Sequence, residues 1–322
     1  DQCLGCMACV TACPSGVRYD RLIADTRQQV ERRHRRPVRL ALLRGAIFSL
    51  FPYPRRLRLL RGPLRVAQAM GVRTLVADAG PVRRWLPTLA TLAGLTPALT
   101  RPERLPALVG ALGPRRMRVG LIAGCVQQAF FADVNAATAR VLAAEGCDVV
   151  VGRRQGCCGA LSAHTGRRAE AQRLARATID WWQPHGVDRV VTNVAGCGSE
   201  LKEYGTLLAD DPAYAARAAA FAAQVRDLTE LVVALGPVAP RHPLPVRVAY
   251  HDACHLGHAQ GVRAQPRQLL RAVPRLRLHE PVRRREAAPV MRTFWPSSLL
   301  HASRWVSSGR MRQNQTWLRG GK

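Results

Sequence analysis

The chain has 322 residues, 48% of them hydrophobic, and a formal net charge of +28. That length supports two domains with cores of their own, no run reaches the roughly 18 to 20 apolar residues of a membrane-spanning helix, and the N-terminus lacks the basic-then-apolar pattern of a secretory signal. The charge does not mark a nucleic-acid binder: only Lys202 and Lys322 are lysine, the other basic residues are arginines spread along the chain, and 5% aromatics offer little for base stacking. The arginine skew reads as the codon usage of a GC-rich genome. A cytoplasmic protein is expected. In that setting ten cysteines point to metal or redox chemistry rather than disulfides, because reducing compartments keep thiols free.

The first feature along the chain is a cysteine run. Cys3, Cys6, Cys9 and Cys13-Pro14 spell C-x2-C-x2-C-x3-C-P, the ligand spacing of bacterial ferredoxins. Two-residue steps let three thiolates turn inward around one cubane, while the fourth, beyond a longer step, serves the other cluster of a two-cluster module. A zinc site is the competing reading, but four-cysteine zinc sites usually split into two distant pairs. No second run of this kind exists in the chain. The expectation is therefore a fragment of a two-cluster protein, the alternative being that all four thiols hold one strained cluster.

Residues 17–36 read as a helix leaving this module. Residues 37–117 are rich in leucine, arginine and proline, with apolar residues at helical spacing and prolines 52, 54 and 63 expected to break the stretch into short helices. A basic amphipathic segment suits a membrane surface; a helical connector packed on a partner or on the next domain is the preferred reading.

From about residue 118 strands and helices alternate. Strands are expected at 118–123, 147–151, 188–193 and 246–250, with helices at 136–145, 168–182, 212–224 and 227–235. Three strands run into a cysteine: Ala123-Gly124-Cys125, Ala195-Gly196-Cys197 and Asp252-Ala253-Cys254. Ligands gather at the carboxyl ends of strands in an open α/β sheet, so these thiols can converge, and 118 and 246 look like equivalent starts of two α/β halves. Between them lies QGCCG, with Cys157 and Cys158 adjacent. Adjacent cysteines diverge and grip one zinc poorly, yet suit a multi-iron cluster, and Gly156 and Gly159 allow close approach of the backbone. Cys147, inside a strand, reads as a buried structural thiol.

These segments, GCVQQAFFADVNAATARVLAAEGCDVVV, QGCCGALSAHTG, TNVAGCGSELKEYGTLLADDPAYAARA and YHDACHLGHAQGVRAQPRQLL, resemble the iron–sulfur subunits of bacterial glycolate oxidase (glycolate dehydrogenase), within the cysteine-rich CCG-domain family that includes heterodisulfide reductase. The resemblance runs to about residue 280. It implies an α/β architecture: a partial ferredoxin-type [4Fe-4S] module at 1–36, a helical connector at 37–117, a first CCG domain at 118–239 and the start of a second at 240–280. It implies [4Fe-4S] clusters, with Cys3, Cys6, Cys9 and Cys13 as the second ferredoxin motif, Cys125, Cys157, Cys158 and Cys197 as the first CCG set, and Cys254 opening the second. It also implies flavin-containing partner subunits that oxidise glycolate to glyoxylate, with FAD on those partners alone, and a quinone or other final acceptor. The site would be cytoplasmic or peripheral on the inner face of the cell membrane.

Two departures stand out. Glu200 takes the place of the second cysteine in the C-x2-C that closes each heterodisulfide-reductase-type domain, a form shared by sequences resembling glycolate oxidase. The last segment, 281–322, has no cysteine and nine basic residues against one acidic, and is expected to be an out-of-frame tail. No G-x-G-x-x-G follows a strand and opens a helix, so no flavin or nicotinamide site is expected here. His251, His255 and His258 flank Cys254 and are read as supporting or surface residues. Three rival readings stay open: a related iron–sulfur subunit serving lactate, glycerol 3-phosphate or a heterodisulfide; a thiol–disulfide enzyme using Cys157 and Cys158; and a non-functional gene remnant.

Overall fold

The computed structural model describes residues 3–72, 80–85, 90–91, 93–94, 96–99 and 105–280. The expected out-of-frame tail at 281–322 lies outside them. The described residues fall into two units, one of residues 3–64 with 105–280 and the other of the described residues between 65 and 99.

The first unit is built on a five-stranded sheet. Its strands are β1 (Leu108–Val109), β2 (Met117–Leu121), β3 (Cys147–Val151), β4 (Arg189–Thr192) and β5 (Val225–Asp227), in the order β1-β3-β2-β4-β5. Strands β2 to β5 run parallel, with Val119 opposite Val149 and Arg189, and only β1 is antiparallel, Val109 opposite Val149. Parallel strands need covered faces, and period-two alternation supplies both covers. Val150, Val190 and Val225 face a layer with Ala171, Ile179 and Trp182, while Val119, Val149, Val151 and Val191 face Ala139, Leu142, Leu231 and Val232. The first layer belongs to the helix Arg168–Trp182, the second to Ala132–Ala144 and Leu228–Leu235. The result is an α/β sandwich. Trp182 comes so close to the sheet that a Cβ at Gly120 would meet its ring at 2.2 Å.

Beyond it, β6 (Arg247–Ala249) and β7 (Arg277–His279) pair in parallel, Val248 opposite Leu278, around the helix Ala264–Arg271. This is a βαβ unit in a separate sheet.

On the N-terminal side lie α1 (Ala8–Ala12), α2 (Tyr19–Arg33), α3 (Val38–Leu50) and α4 (Pro54–Ala69). The prolines do not fragment this region as expected. Pro54 occupies the first position of α4, where no N–H is required, and Pro63 sits inside α4 without ending it. Only Pro52, in the turn between α3 and α4, separates helices. Packing holds them: Phe48 and Leu57 are buried, the Arg167 guanidinium lies 4.1 Å from the Phe48 ring centroid, and Arg61 donates to the Ala129 carbonyl. In the second unit, Gln68 donates to the Pro97 carbonyl at 2.8 Å and accepts from the Leu99 N–H at 3.0 Å.

A thiol row at the sheet switch point and a docked cysteine loop

After the antiparallel edge strand β1, the parallel strands start at β2, move to β3 on one side, then cross to β4 and β5 on the other. The carboxyl ends of β2 and its neighbours therefore form the crevice where doubly wound sheets bind ligands. Cys125 follows β2, Cys157 and Cys158 follow β3, and Cys197 follows β4. Glycines make the turns there possible: Gly124, Gly156 and Gly159 have φ of 67°, 83° and 87°, values that side chains resist.

The thiols form a row. Cys125 lies beside Cys157, Cys157 beside Cys158, and Cys158 beside Cys197. Cys157 and Cys158 are buried, and Cys125 and Cys197 partly so. The neighbouring Cys157, reinforced by burial, holds the Cys125 thiol far above its ordinary range. Cys125 in turn favours the Cys157 thiolate, but the neighbouring Cys158 thiol and burial together push Cys157 up to about 12. Without a metal, Cys125, Cys157 and Cys158, all pushed upward, keep their protons at neutral pH. Among the described residues no three His, Cys, Asp or Glu side chains converge to hold a single metal ion. Four soft sulfur donors with glycines beside them fit an iron–sulfur cluster, which Cys125, Cys157, Cys158 and Cys197 would hold.

Tyr204, Asn135 and Asn193, which the sequence did not single out, help fix the row, together with Gly159. The Tyr204 hydroxyl donates to the Cys158 carbonyl at 2.6 Å, and the Gly159 N–H points to the Cys157 sulfur at 3.4 Å. Asn135 donates to the Ala123 carbonyl at 2.8 Å, and Asn193 bridges to Asn135 at 3.1 Å and Thr138 at 2.8 Å, tying the ends of β2 and β4 together. The one sequence signal for Asn135 is its place on the apolar side of an alanine-rich helix. Glu200, one turn beyond Cys197, is buried, and burial followed by repulsion from Glu203 pushes its carboxyl up to about 7. Cys147 opens β3, at the end of the strand away from the row, and is fully buried, as the bland reading held.

Cys3, Cys6, Cys9 and Cys13 lie on a loop and on α1, exposed or half-exposed. Gly5 and Met7 take φ of 66° and 62°. A left-handed methionine is uncommon, and it reverses the chain between Cys6 and Cys9. The Gly5 N–H points to the Cys3 sulfur at 3.4 Å. Arg27 of α2 donates to the His164 carbonyl at 2.8 Å and also to the Cys3 carbonyl. Gly166 makes room for α2: a Cβ there would stand 2.3 Å from the Arg27 carbonyl oxygen.

Cys254 is exposed and opens a π-helical turn, His255–Ala259. That turn touches both cysteine groups. Thr11 of α1 bonds His258 Nδ1 at 2.7 Å, and Gln260 donates to the Ala195 carbonyl at 2.9 Å, two residues before Cys197. His255 packs on His164 with ring centroids 4.9 Å apart. His251 makes no contact that bears on the thiols.

A match to the cysteine-rich domain family model covers residues 119–202 and 248–288, so it contains the whole row and Cys254. The model for the linker region of glycolate oxidase iron–sulfur subunits matches residues 39–96. The chain is homologous to glycolate oxidase iron–sulfur subunits. The probable glycolate oxidase iron–sulfur subunit of Bacillus subtilis is 34% identical over 277 residues, 84% of this chain and 62% of that one. The glycolate oxidase iron–sulfur subunit of Escherichia coli is 32% identical over the same shares. Lactate utilization protein A of an Exiguobacterium species is 29% identical over 153 residues, 47% of this chain and 62% of that one. The chain thus spans less than two thirds of these relatives' length. No solved structure matches it.

Proposed function

We propose that this chain is the iron–sulfur electron-transfer subunit of a glycolate-oxidising complex, accepting electrons from a flavin on a partner subunit and passing them towards a quinone or another acceptor. The observation that carries the reading is the thiol row, four cysteines from the ends of three strands meeting at the sheet's switch point. When bound, iron–sulfur clusters supply one-electron transfer with little rearrangement, at a potential set by charge, hydrogen bonds and exposure. The ligands are Cys3, Cys6, Cys9 and Cys13 in the N-terminal module at 1–36, Cys125, Cys157, Cys158 and Cys197 in the first CCG domain at 118–239, and Cys254 at the start of the second, 240–280.

Each protein part has a task in this scheme. Gly159 N–H and Gly5 N–H direct hydrogen bonds at thiolate sulfurs, which stabilises negative charge there. The π-helical turn links α1, carrying Cys9, to the helix that begins two residues before Cys197, giving a continuous packed route between the two cysteine groups. Oxidation of the 2-hydroxy acid falls to partner subunits with FAD. Exposed Val38, Leu42 and Leu59 on the basic α3–α4 pair form the surface for peripheral membrane contact, and no described helix is long and apolar enough to cross a membrane. Glycolate is favoured over lactate because the glycolate relatives align over 84% of the chain and the lactate relative over 47%.

The test is glycolate-dependent reduction of an artificial acceptor by the chain assembled with its flavin partners, compared with lactate. Cys157→Ala is expected to lower turnover at least about tenfold. Full turnover in that variant would remove the row from the electron path.

A further inference from the structure

Beside the thiol row the first unit has a solvent-open cleft of about 1040 Å³, at the upper limit of the roughly 300–1,000 Å³ typical of ligand sites. Cys157 lines its floor with Ala123 and Val150. Five arginines line it from two facing elements: Arg55, Arg56 and Arg58 from the start of α4, Arg153 and Arg154 from the loop that follows β3. No aspartate or glutamate is among the lining residues, and among the described residues none of the five arginines has a carboxylate partner. Some arginines elsewhere do pair with acids, as Arg267 does with Asp252 at 2.8 Å and Arg217 with Asp180 at 2.6 Å, but in the cleft five stand together with none.

The remaining wall is aromatic. Trp181 and His185 stack with centroids 4.1 Å apart, and Tyr53 lies under Arg56 at 4.3 Å. Guanidinium forks match phosphate oxygens in pairs, ring walls take a flat heterocycle, and a two-carbon acid is far too small for the volume.

The geometry points to a binding site for a nucleotide, a phosphorylated aromatic anion, held against Cys157. Arg55 and Arg58 on one side and Arg153 and Arg154 on the other take the phosphates, and the ring lies along Trp181 and His185. The site is independent of the electron-transfer reading, since it rests on the cleft, its arginines and its aromatic wall.

The test uses the full chain, reconstituted anaerobically, and isothermal titration calorimetry with three probes: ATP, adenosine and tripolyphosphate. ATP is expected to bind at least tenfold more tightly than either of the others. Arg153 and Arg154 are exposed, so the double variant Arg153→Ala/Arg154→Ala should fold, checked by its circular dichroism, and should lose at least tenfold in ATP affinity. Arg32→Ala, on the exposed face of α2, should change nothing. Tripolyphosphate binding as tightly as ATP would reduce the cleft to a general polyanion surface and overturn the proposal. So would no ATP binding, or equal ATP affinity in the double variant.

Discussion

Gly120 shows how far single atoms decide this site. A methyl group there would meet the Trp182 ring at 2.2 Å, and Trp182 Nε1 donates to Gln155 Oε1 at 3.1 Å, two residues before Cys157. Gly120→Ala therefore strains the core and disturbs the turn that carries the row; a loss of about 1–3 kcal/mol is expected, read from the denaturant midpoint. An unchanged midpoint would mean that Trp182 moves freely. His164 makes a second residue-level claim. Burial, then repulsion from His255 and Arg27, holds its imidazole down at about 4 against an ordinary 6.5. Between those values the unfolded chain binds the proton and the folded chain does not, so stability is full above 6.5 and falls as pH drops towards 4. The loss is on the order of 3 kcal/mol. His164→Gln should flatten that slope in unfolding curves taken across the interval, and an unaltered slope would place the titration elsewhere.

At the scale of elements, the docking of α2 depends on Gly166, whose φ is +85° and whose missing Cβ leaves room for the Arg27 carbonyl. Gly166→Ala should release α2 and expose its amides to hydrogen exchange, while the amides of β2 and β4 stay protected; unchanged protection in α2 would refute the role. The parallel strands were legible because short β-branched runs such as CDVVV and RVVT stop at turn-forming residues, Gly152 and Asn193. The gathering of Cys125, Cys157, Cys158 and Cys197 followed from where those strands end. Other elements were hidden. β5 is three residues, Val225–Asp227, set between two helices, so helical periodicity swallowed it; Asp227 then caps the next helix through a capping box with Glu230. Pro63 looked like a breaker, and burial of Leu57 together with the Arg61 bond to Ala129 outweighs its cost. The Tyr204 bond to Cys158, 46 residues apart, has no local signature at all.

For the molecule as a whole, the central claim is that thiols collected at the sheet's switch point and on the docked N-terminal loop exist to hold iron. Their protonation agrees with it: left to themselves, Cys125, Cys157 and Cys158 are too buried and too close to one another to ionise at neutral pH, which disfavours a thiol–disulfide enzyme, whose attacking sulfur must be a thiolate. The names of the glycolate oxidase relatives apply to proteins of which this chain spans 62%. The decisive measurement is therefore made on this chain itself: iron and acid-labile sulfide per polypeptide after anaerobic reconstitution, with electron paramagnetic resonance of the reduced protein. Iron and sulfide in equal amounts with a cluster signal, reduced in both content and signal by Cys157→Ala/Cys158→Ala, are predicted. Protein that takes up neither element, or whose cluster content is indifferent to that double variant, would contradict the account.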